Sequence, residues 1–252
     1  MIDPAEASAK WRAARVLSIR DETAGAKTIA FDIPGWPGHL AGQHLDLRLT
    51  AEDGYTAQRS YSIASAAGQG PTVELTVDLV PDGEVSEFLH TELRVGDVIE
   101  LRGPIGGYFA WSAEHDYGLL LIAGGSGVVP LMSMLRSRRD AGASMPARLL
   151  YSSRSAESII YRAELELLAN AAGGPTVTHT LTRSVPAGWE GERGRVDRAM
   201  LERNSFGAVG HPDIYVCGPT SFVEAVADIL VAMGHSATRV RTERFGPTGE
   251  LR

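Results

Sequence analysis

Residues 118–136, GLLLIAGGSGVVPLMSMLR, constrain this chain more than any other stretch. Leu119 to Ile122 are an unbroken apolar run, as in a strand buried on both faces of a parallel sheet. Gly124, Gly125, Ser126 and Gly127 follow, and then Val128, Val129, Leu131, Met132 and Leu135 recur at helical spacing. Strand, glycine turn and helix in that order can bind an anion. Glycines allow the tight turn, and the free N–H groups at the start of the helix point at a phosphate. GGSG is not the full GxGxxG fingerprint, and the acidic residue about twenty positions on that would hold a ribose hydroxyl is missing. The same residues also read as a plain turn between a core strand and a core helix.

The region around this unit repeats its pattern. YGLLLIA, ARLLYSSR, PTVTHTLT and DIYVCGP read as strands. PLMSMLRSRRDAG, IIYRAELELLANA, DRAMLERN and SFVEAVADILVAMG read as the helices between and after them. Such alternation implies a parallel sheet with helices on both faces. Ligands of open α/β sheets sit at the carboxyl ends of the strands. The residues there are Gly124 to Gly127, Ser152 to Arg154, Thr182-Arg183 and Cys217 to Thr220.

The first half is of another kind. ARVLSIRDE, KTIAFDI, QHLDLRLT, RSYSIASA, TVELTVDLV and GDVIELRGPIGGYF are short strand-like runs. Pro34-Gly35, Pro37-Gly38, Asp53-Gly54, Gly70-Pro71 and Asp82-Gly83 divide them. The expectation is a six-stranded antiparallel β-barrel over residues 1–112, then the α/β domain over residues 113–252. In RSYS, Arg59 and Tyr61 point to one face of a strand, Ser60 and Ser62 to the other. An arginine grips phosphate, a tyrosine ring stacks, and serine hydroxyls reach a ring nitrogen. An exposed strand with a salt-bridged arginine reads the same way. In DGEVSEFL, Gly83 opens a turn and Ser86 starts a helical run; its N–H groups cap a helix or face a phosphate.

Composition closes off other classes. The only cysteine among 252 residues is Cys217, so the sequence holds no internal disulfide, four-cysteine zinc site or cysteine-ligated iron–sulfur cluster. A formal charge of −7 argues against nucleic acid as a partner. No stretch approaches the roughly 20 apolar residues of a membrane span. MIDPAEASAKWRAAR has no apolar core of a secretory signal, so a cytoplasmic location is expected.

Taken in order, RSYS, GEVS, AGGSGVVPLMSML, YSSR followed by YRAEL, and CGPTSFVEAV resemble the ferredoxin–NADP⁺ reductase superfamily, from about Val16 to Gly246. The subtype most similar is the compact flavin reductases that lack a fused iron–sulfur domain. The resemblance implies a role for each motif. Arg59 is similar to the arginine on a flavin phosphate, with Ser60 beside it. Tyr61 resembles the tyrosine against the flavin, and Ser62 the hydroxyl residue near flavin N5. Gly83, Val85 and Ser86 resemble a second phosphate-binding turn, which favours FAD over FMN. Gly124, Gly125, Ser126, Gly127 and Val128 are similar to the turn on the dinucleotide pyrophosphate, and Cys217, Gly218 and Pro219 to the element beside the nicotinamide. The ending departs from plant-type reductases, which finish on an aromatic residue. Here Glu243 and Phe245 are the residues that would reach the flavin.

The resemblance also implies NAD(P)H as reductant. A 2′-phosphate needs a cationic clamp, and Arg154 (with Ser153), Arg183 (with Thr182) and Arg195 lie where bacterial NADP⁺-linked relatives carry arginines. NADPH is therefore expected over NADH. Ser62, Cys217 and Glu243 are the expected catalytic residues, on a monomer that passes single electrons to a ferredoxin-like protein. An acidic acceptor would dock on arginines, with Arg12, Arg15 and Arg20, then Arg136, Arg138 and Arg139, then Arg239, Arg241 and Arg244 as candidate clusters. Each also reads as an ordinary solvated face. The alternatives are an NADH-linked reductase component of a multicomponent oxygenase, a free flavin reductase, and a binding or regulatory module that has kept the fold without the chemistry.

Overall fold

The structure, a computed structural model, describes residues 10–68, 70–114, 117–207 and 211–245. The stretch before residue 10 and the tail from Gly246, both read above, lie outside these. The chain divides into two compact units. One runs to Ser112 and includes Met132–Ser137; the other comprises Ala113–Leu131 and the residues from Arg138 onward.

In the first unit six strands form one antiparallel sheet: β1 (Trp11–Thr23), β2 (Ala26–Asp32), β3 (His44–Thr50), β4 (Thr56–Ser62), β5 (Thr72–Asp78) and β6 (Val98–Ile105). Their order is β4-β3-β6-β1-β2-β5. Ile63 bridges Leu75, and the Ala64 N–H donates to Glu74 O at 2.8 Å, so the end of β4 meets β5 and the sheet closes into a barrel. Closure follows from the alternation. Ile29, Phe31, Leu45, Leu47, Val73, Leu75 and Leu101 all turn inward to one core. The helix α1 (Glu84–Thr91) adds Val85 and Leu89 to that core. β4 starts at Thr56, three residues before the expected Arg59, because it pairs with β3 along its whole length, from Thr50↔Thr56 to His44↔Ser62.

The second unit holds a parallel sheet: β7 (Leu119–Gly124), β8 (Ala147–Ser153), β9 (Thr176–Leu181), β10 (Glu192–Arg193), β11 (Asp213–Pro219) and β12 (Val240–Phe245). The order is β10-β9-β8-β7-β11-β12, which places the topological switch between β7 and β11. Helices α2 (Val128–Asp140), α3 (Arg162–Asn170), α4 (Arg198–Asn204) and α5 (Thr220–Ala232) connect the strands. Leu120, Ile122, Ile214 and Val216 pack with Met200 and Leu201 of α4 and with Val223, Val226 and Leu230 of α5. Leu119, Leu121 and Leu149, which point the other way, are equally buried, so both faces are covered.

Two strands had no counterpart in the sequence reading. β10 is two residues long, and β12 is an edge strand whose RTER segment carries no apolar alternation. α3 starts at Arg162 instead of Ile159, because Ala156–Ser158 form a 3₁₀ turn and Tyr161 takes a left-handed φ of 59°. Among the described residues no helix is long and apolar enough to cross a membrane.

Several expected docking arginines turn out to be internal braces. Within the first unit Arg136 is buried, donating to Ala64 O at 2.8 Å and to Glu74 at 2.9 Å. In the second, buried Arg138 donates to Met145 O and Gly173 O. Arg20, Arg139 and Arg239 are paired with Glu22, Asp140 and Asp213, and Arg241 with the Tyr215 hydroxyl. Arg12 and Arg15 donate to the carbonyls of Gly35 and Gly96, and Arg244 to Thr242 Oγ1.

Candidate cofactor sites

The first unit offers a polar strand end. β4 lies at the end of the strand order, and Arg59 on it is exposed, its one side-chain bond among the described residues running to the neighbouring Gln58 O at 2.7 Å. Tyr61, two residues on, packs its ring against the barrel core. Burial pushes its hydroxyl up to about 12, against a smaller opposing effect of the Arg59 charge. The Ser62 hydroxyl takes no hydrogen-bond partner among the described residues. Ser60 differs. Its hydroxyl donates to Asp46 at 2.6 Å, and Asp46 also accepts from Arg102 at 2.5 Å. Burial opposes the Asp46 charge, but those two bonds and the guanidinium hold the carboxyl below its usual range. Ser60 thus belongs to a cross-strand ladder that continues to Trp11, over which the guanidinium groups of Arg102 and Arg48 lie.

The turn before α1 is built tightly. A side chain at Gly83 would come within 2.6 Å of Ser86 Oγ and 2.8 Å of Val80 O. The Ser86 hydroxyl, itself buried, donates to Gly83 O at 2.9 Å and accepts from Val80 N at 3.2 Å. Val85 is in the core. The turn therefore brings Gly83, Val85 and Ser86 together but commits both side chains internally and the Gly83 N–H to Val80 O at 2.9 Å, so what it can offer a ligand is the N–H groups of the first turn of α1. Glu84, which follows Gly83, accepts from the Tyr55 hydroxyl at 3.1 Å; the sequence reading had singled out neither residue.

In the second unit the strand ends converge as the topology requires. β7 runs into a 3₁₀ turn, Gly125–Gly127, and then α2. Gly127 is packed against the end of β11: a side chain there would overlap the Cys217 carbonyl and reach Gly218 N at 2.8 Å. Ser126 beside it is half-buried. Ser153, at the end of β8, is buried with a hydroxyl that has no partner among the described residues. Its carbonyl accepts from both Thr182 N (3.0 Å) and Thr182 Oγ1 (3.2 Å). Arg183 N donates to Arg154 O at 3.0 Å, and Gly194 N to Leu181 O at 2.8 Å, which brings Arg154, Arg183 and Arg195 to the same sheet edge. All three arginines are exposed, and none is in an ion pair among the described residues.

β12 adds the last members. Cys217, Gly218 and Pro219 stand opposite Glu243, Arg244 and Phe245. Burial raises the Cys217 thiol well above its usual range, and the nearby Glu243 adds to this. Burial also pushes the Glu243 carboxyl up to about 7. The thiol is therefore a neutral packing group and not a nucleophile. Phe222, in the first turn of α5, lies against this edge and was read from the sequence only as part of a helix.

A closed barrel with a polar strand end, followed by a parallel sheet with a glycine cradle at its switch point, defines the class of two-domain flavin- and nicotinamide-binding oxidoreductases. Comparison with known proteins agrees. Residues 17–110 match the oxidoreductase FAD-binding domain and residues 121–228 the oxidoreductase NAD-binding domain. A ferredoxin–NADP reductase B of Sorangium cellulosum is 34% identical over 92% of this chain and 96% of its own length. A glycine betaine monooxygenase reductase subunit of Pseudomonas aeruginosa is 32% identical over 93% of this chain; the chain spans 64% of that relative's length. The crystal structure of an Amycolatopsis cytochrome P450 reductase superposes with a TM-score of 0.83 at 25% identity, covering 95% of this chain and 71% of that one. The chain belongs to the ferredoxin–NADP⁺ reductase superfamily.

Its groups are FAD in the first unit and a nicotinamide dinucleotide in the second. The residues fit both. Arg59 and the Ser62 hydroxyl have nothing else among the described residues to serve, apart from the Gln58 carbonyl. In the second unit, the glycine cradle and the buried Ser153 hydroxyl, without a partner among the described residues, suit a polar ligand.

Proposed function

We propose that the chain carries reducing equivalents from NADPH, through bound FAD, to a small ferredoxin-like protein. When bound, the flavin supplies the conversion of a two-electron donor into single-electron steps. The protein binds, aligns and holds protons. Arg59 and the backbone N–H groups of the Gly83 turn would hold the two phosphates of FAD, one charge-assisted, the other by helix-start donors. Tyr61 would lie along the ring and Ser62 donate to it. Gly125 to Gly127 would present N–H groups to the dinucleotide pyrophosphate, with Ser126 and Ser153 as hydroxyl ligands, while the Val128 N–H closes the turn on the Gly125 and Ser126 carbonyls. Cys217, Gly218 and Pro219 would border the nicotinamide, and Phe245 cover the flavin. Glu243 keeps its proton up to about pH 7, so it is able to give or take one near neutrality. Alignment of two bound reactants supplies most of the rate.

One observation carries the coenzyme preference: Arg154, Arg183 and Arg195 stand exposed at one sheet edge without a carboxylate among the described residues. In a chain of net charge −7, three such cations suit a 2′-phosphate. An anaerobic titration followed by visible absorbance tests this. Flavin bands that bleach with NADPH well before NADH support the reading. Bleaching that favours NADH refutes the clamp, and a protein that takes up no flavin refutes the reductase.

A second reading draws on the relative named as a monooxygenase reductase subunit. In it the chain is the NADH-linked reductase of a multicomponent oxygenase. The same titration separates the two. Retention of the flavin through gel filtration separates both from a free flavin reductase. Residues 1–112 would be the flavin domain and 113–252 the nicotinamide domain of a monomeric cytoplasmic protein; light scattering on the eluting peak tests the monomer.

A further inference from the structure

We propose that Phe222 is the positioning residue of the dinucleotide site, its ring wedged against Gly124 and Gly218 so that it sets the spacing of the two strand ends. This rests on the reading of that site given above. The paired register of β7 and β11 ends at Ala123↔Cys217, so Gly124 and Gly218 are the next residues of the two strands. A side chain at Gly124 would meet Phe222 Cδ1 at 2.9 Å and Cγ at 3.0 Å. At Gly218 it would meet the same Cδ1 at 2.8 Å and Gly124 Cα at 3.2 Å. One ring therefore fills the room that two side chains would take. Beyond these glycines, Gly127 is pressed on the Cys217 carbonyl. The cradle and the Cys217–Pro219 element are thus locked to each other through backbone on one side and through a single aromatic ring on the other.

That ring comes from an element that shares the core. Phe222 is half-buried and packs with the cluster of Val223, Val226 and Leu230. It thereby ties α5 to both binding turns. Without it, Gly124 and Gly218 keep their ladder partners Ser152 and Arg244 on the outer strands, but lose the ring that fills the space between them, where glycine leaves the backbone free to shift. The N–H groups of the turn would then point less accurately, and alignment errors of about an ångström cost up to ~10²-fold in rate.

The test compares Phe222→Ala, Phe222→Leu and Phe222→Tyr in the FAD-loaded protein. Amide hydrogen exchange is read without coenzyme. Protection in Phe222→Ala should fall at least ten-fold at residues 124–128 and at Cys217 and Gly218 while β8 keeps its protection. A uniform loss across the sheet, or none, would overturn the proposal, since a ring that only fills the core acts globally. The Kd for NADP⁺ should rise at least ten-fold in Phe222→Ala and stay within two-fold in Phe222→Tyr; an unchanged Kd in Phe222→Ala would also overturn it. If the alanine variant does not fold, Phe222→Leu keeps the apolar volume and takes both readouts, with a smaller expected loss of the same local pattern. Wild-type protein that binds neither NADP⁺ nor NAD⁺ sinks the site reading itself, and shows this before any substitution is made.

Discussion

Cys217 and Glu243 stand opposite one another on the adjacent parallel strands β11 and β12, and both hold their protons more tightly than usual. Burial is the leading cause for each, and the carboxyl adds to the shift of the thiol.

The Glu243 shift makes stability depend on pH. Its ordinary value is 4.5 and its folded value about 7. Between those values the unfolded chain has lost a proton that the folded chain keeps, so stability falls as pH rises through this window. Glu243→Gln removes the effect. Denaturant unfolding should find the variant more stable than wild type at pH 8, by about 1–3 kcal/mol, with the advantage fading toward pH 4. A pH-independent difference would rule this out.

Gly127→Ala should be severely disruptive, because the added methyl overlaps the Cys217 carbonyl, a backbone group that cannot rotate away. We expect a loss of about 1–3 kcal/mol together with at least ten-fold weaker coenzyme binding. Calorimetry and a coenzyme titration check the two parts. Normal binding in a stable variant would show that the cradle yields.

Arg183→Ala should raise KM for NADPH at least ten-fold, about 1.4 kcal/mol, and change KM for NADH less than two-fold. The guanidinium is exposed and has no ion-pair partner among the described residues, so nothing in the fold should suffer. Equal effects on both coenzymes would remove it from the clamp.

Arg136→Ala should destabilise instead of slowing electron transfer. It strips the Ala64 carbonyl and Glu74 of a buried donor, a change of about 2–4 kcal/mol visible as a lowered unfolding midpoint. Arg15→Ala, at an exposed side chain, should leave stability unchanged. If that face docks an acidic acceptor, electron transfer in wild type will slow steeply with salt and the variant will lose that dependence. A salt-independent wild-type rate would discard electrostatic docking.

The two-part architecture was legible because period and punctuation agree over long stretches. Alternating runs cut by Pro-Gly and Asp-Gly pairs suggest a barrel, and LLLIA followed by GGSG and a helical run reads as a buried parallel strand before a helix. β12 was not legible. Its residues earn a place in the sheet by pairing with β11, and a half-exposed edge strand has no apolar alternation to display. The arginines were legible as charges but not as partners: Arg138 and Arg183 look alike in a sequence, yet one is buried on carbonyls and the other exposed.

The sequence by itself determined the class of each domain, the order of the motifs and the residue types able to hold two cofactors, since these depend on local spacing alone. Tertiary structure decided which of those groups remain available. It gave Ser60 to Asp46 and Ser86 to its own turn, left Ser62 and Ser153 without partners among the described residues, placed Glu243 beside Cys217, and set Phe222 against two glycines. The reason is physical: burial and hydrogen-bond commitment are properties of neighbours brought together from distant parts of the chain, and no local pattern records them.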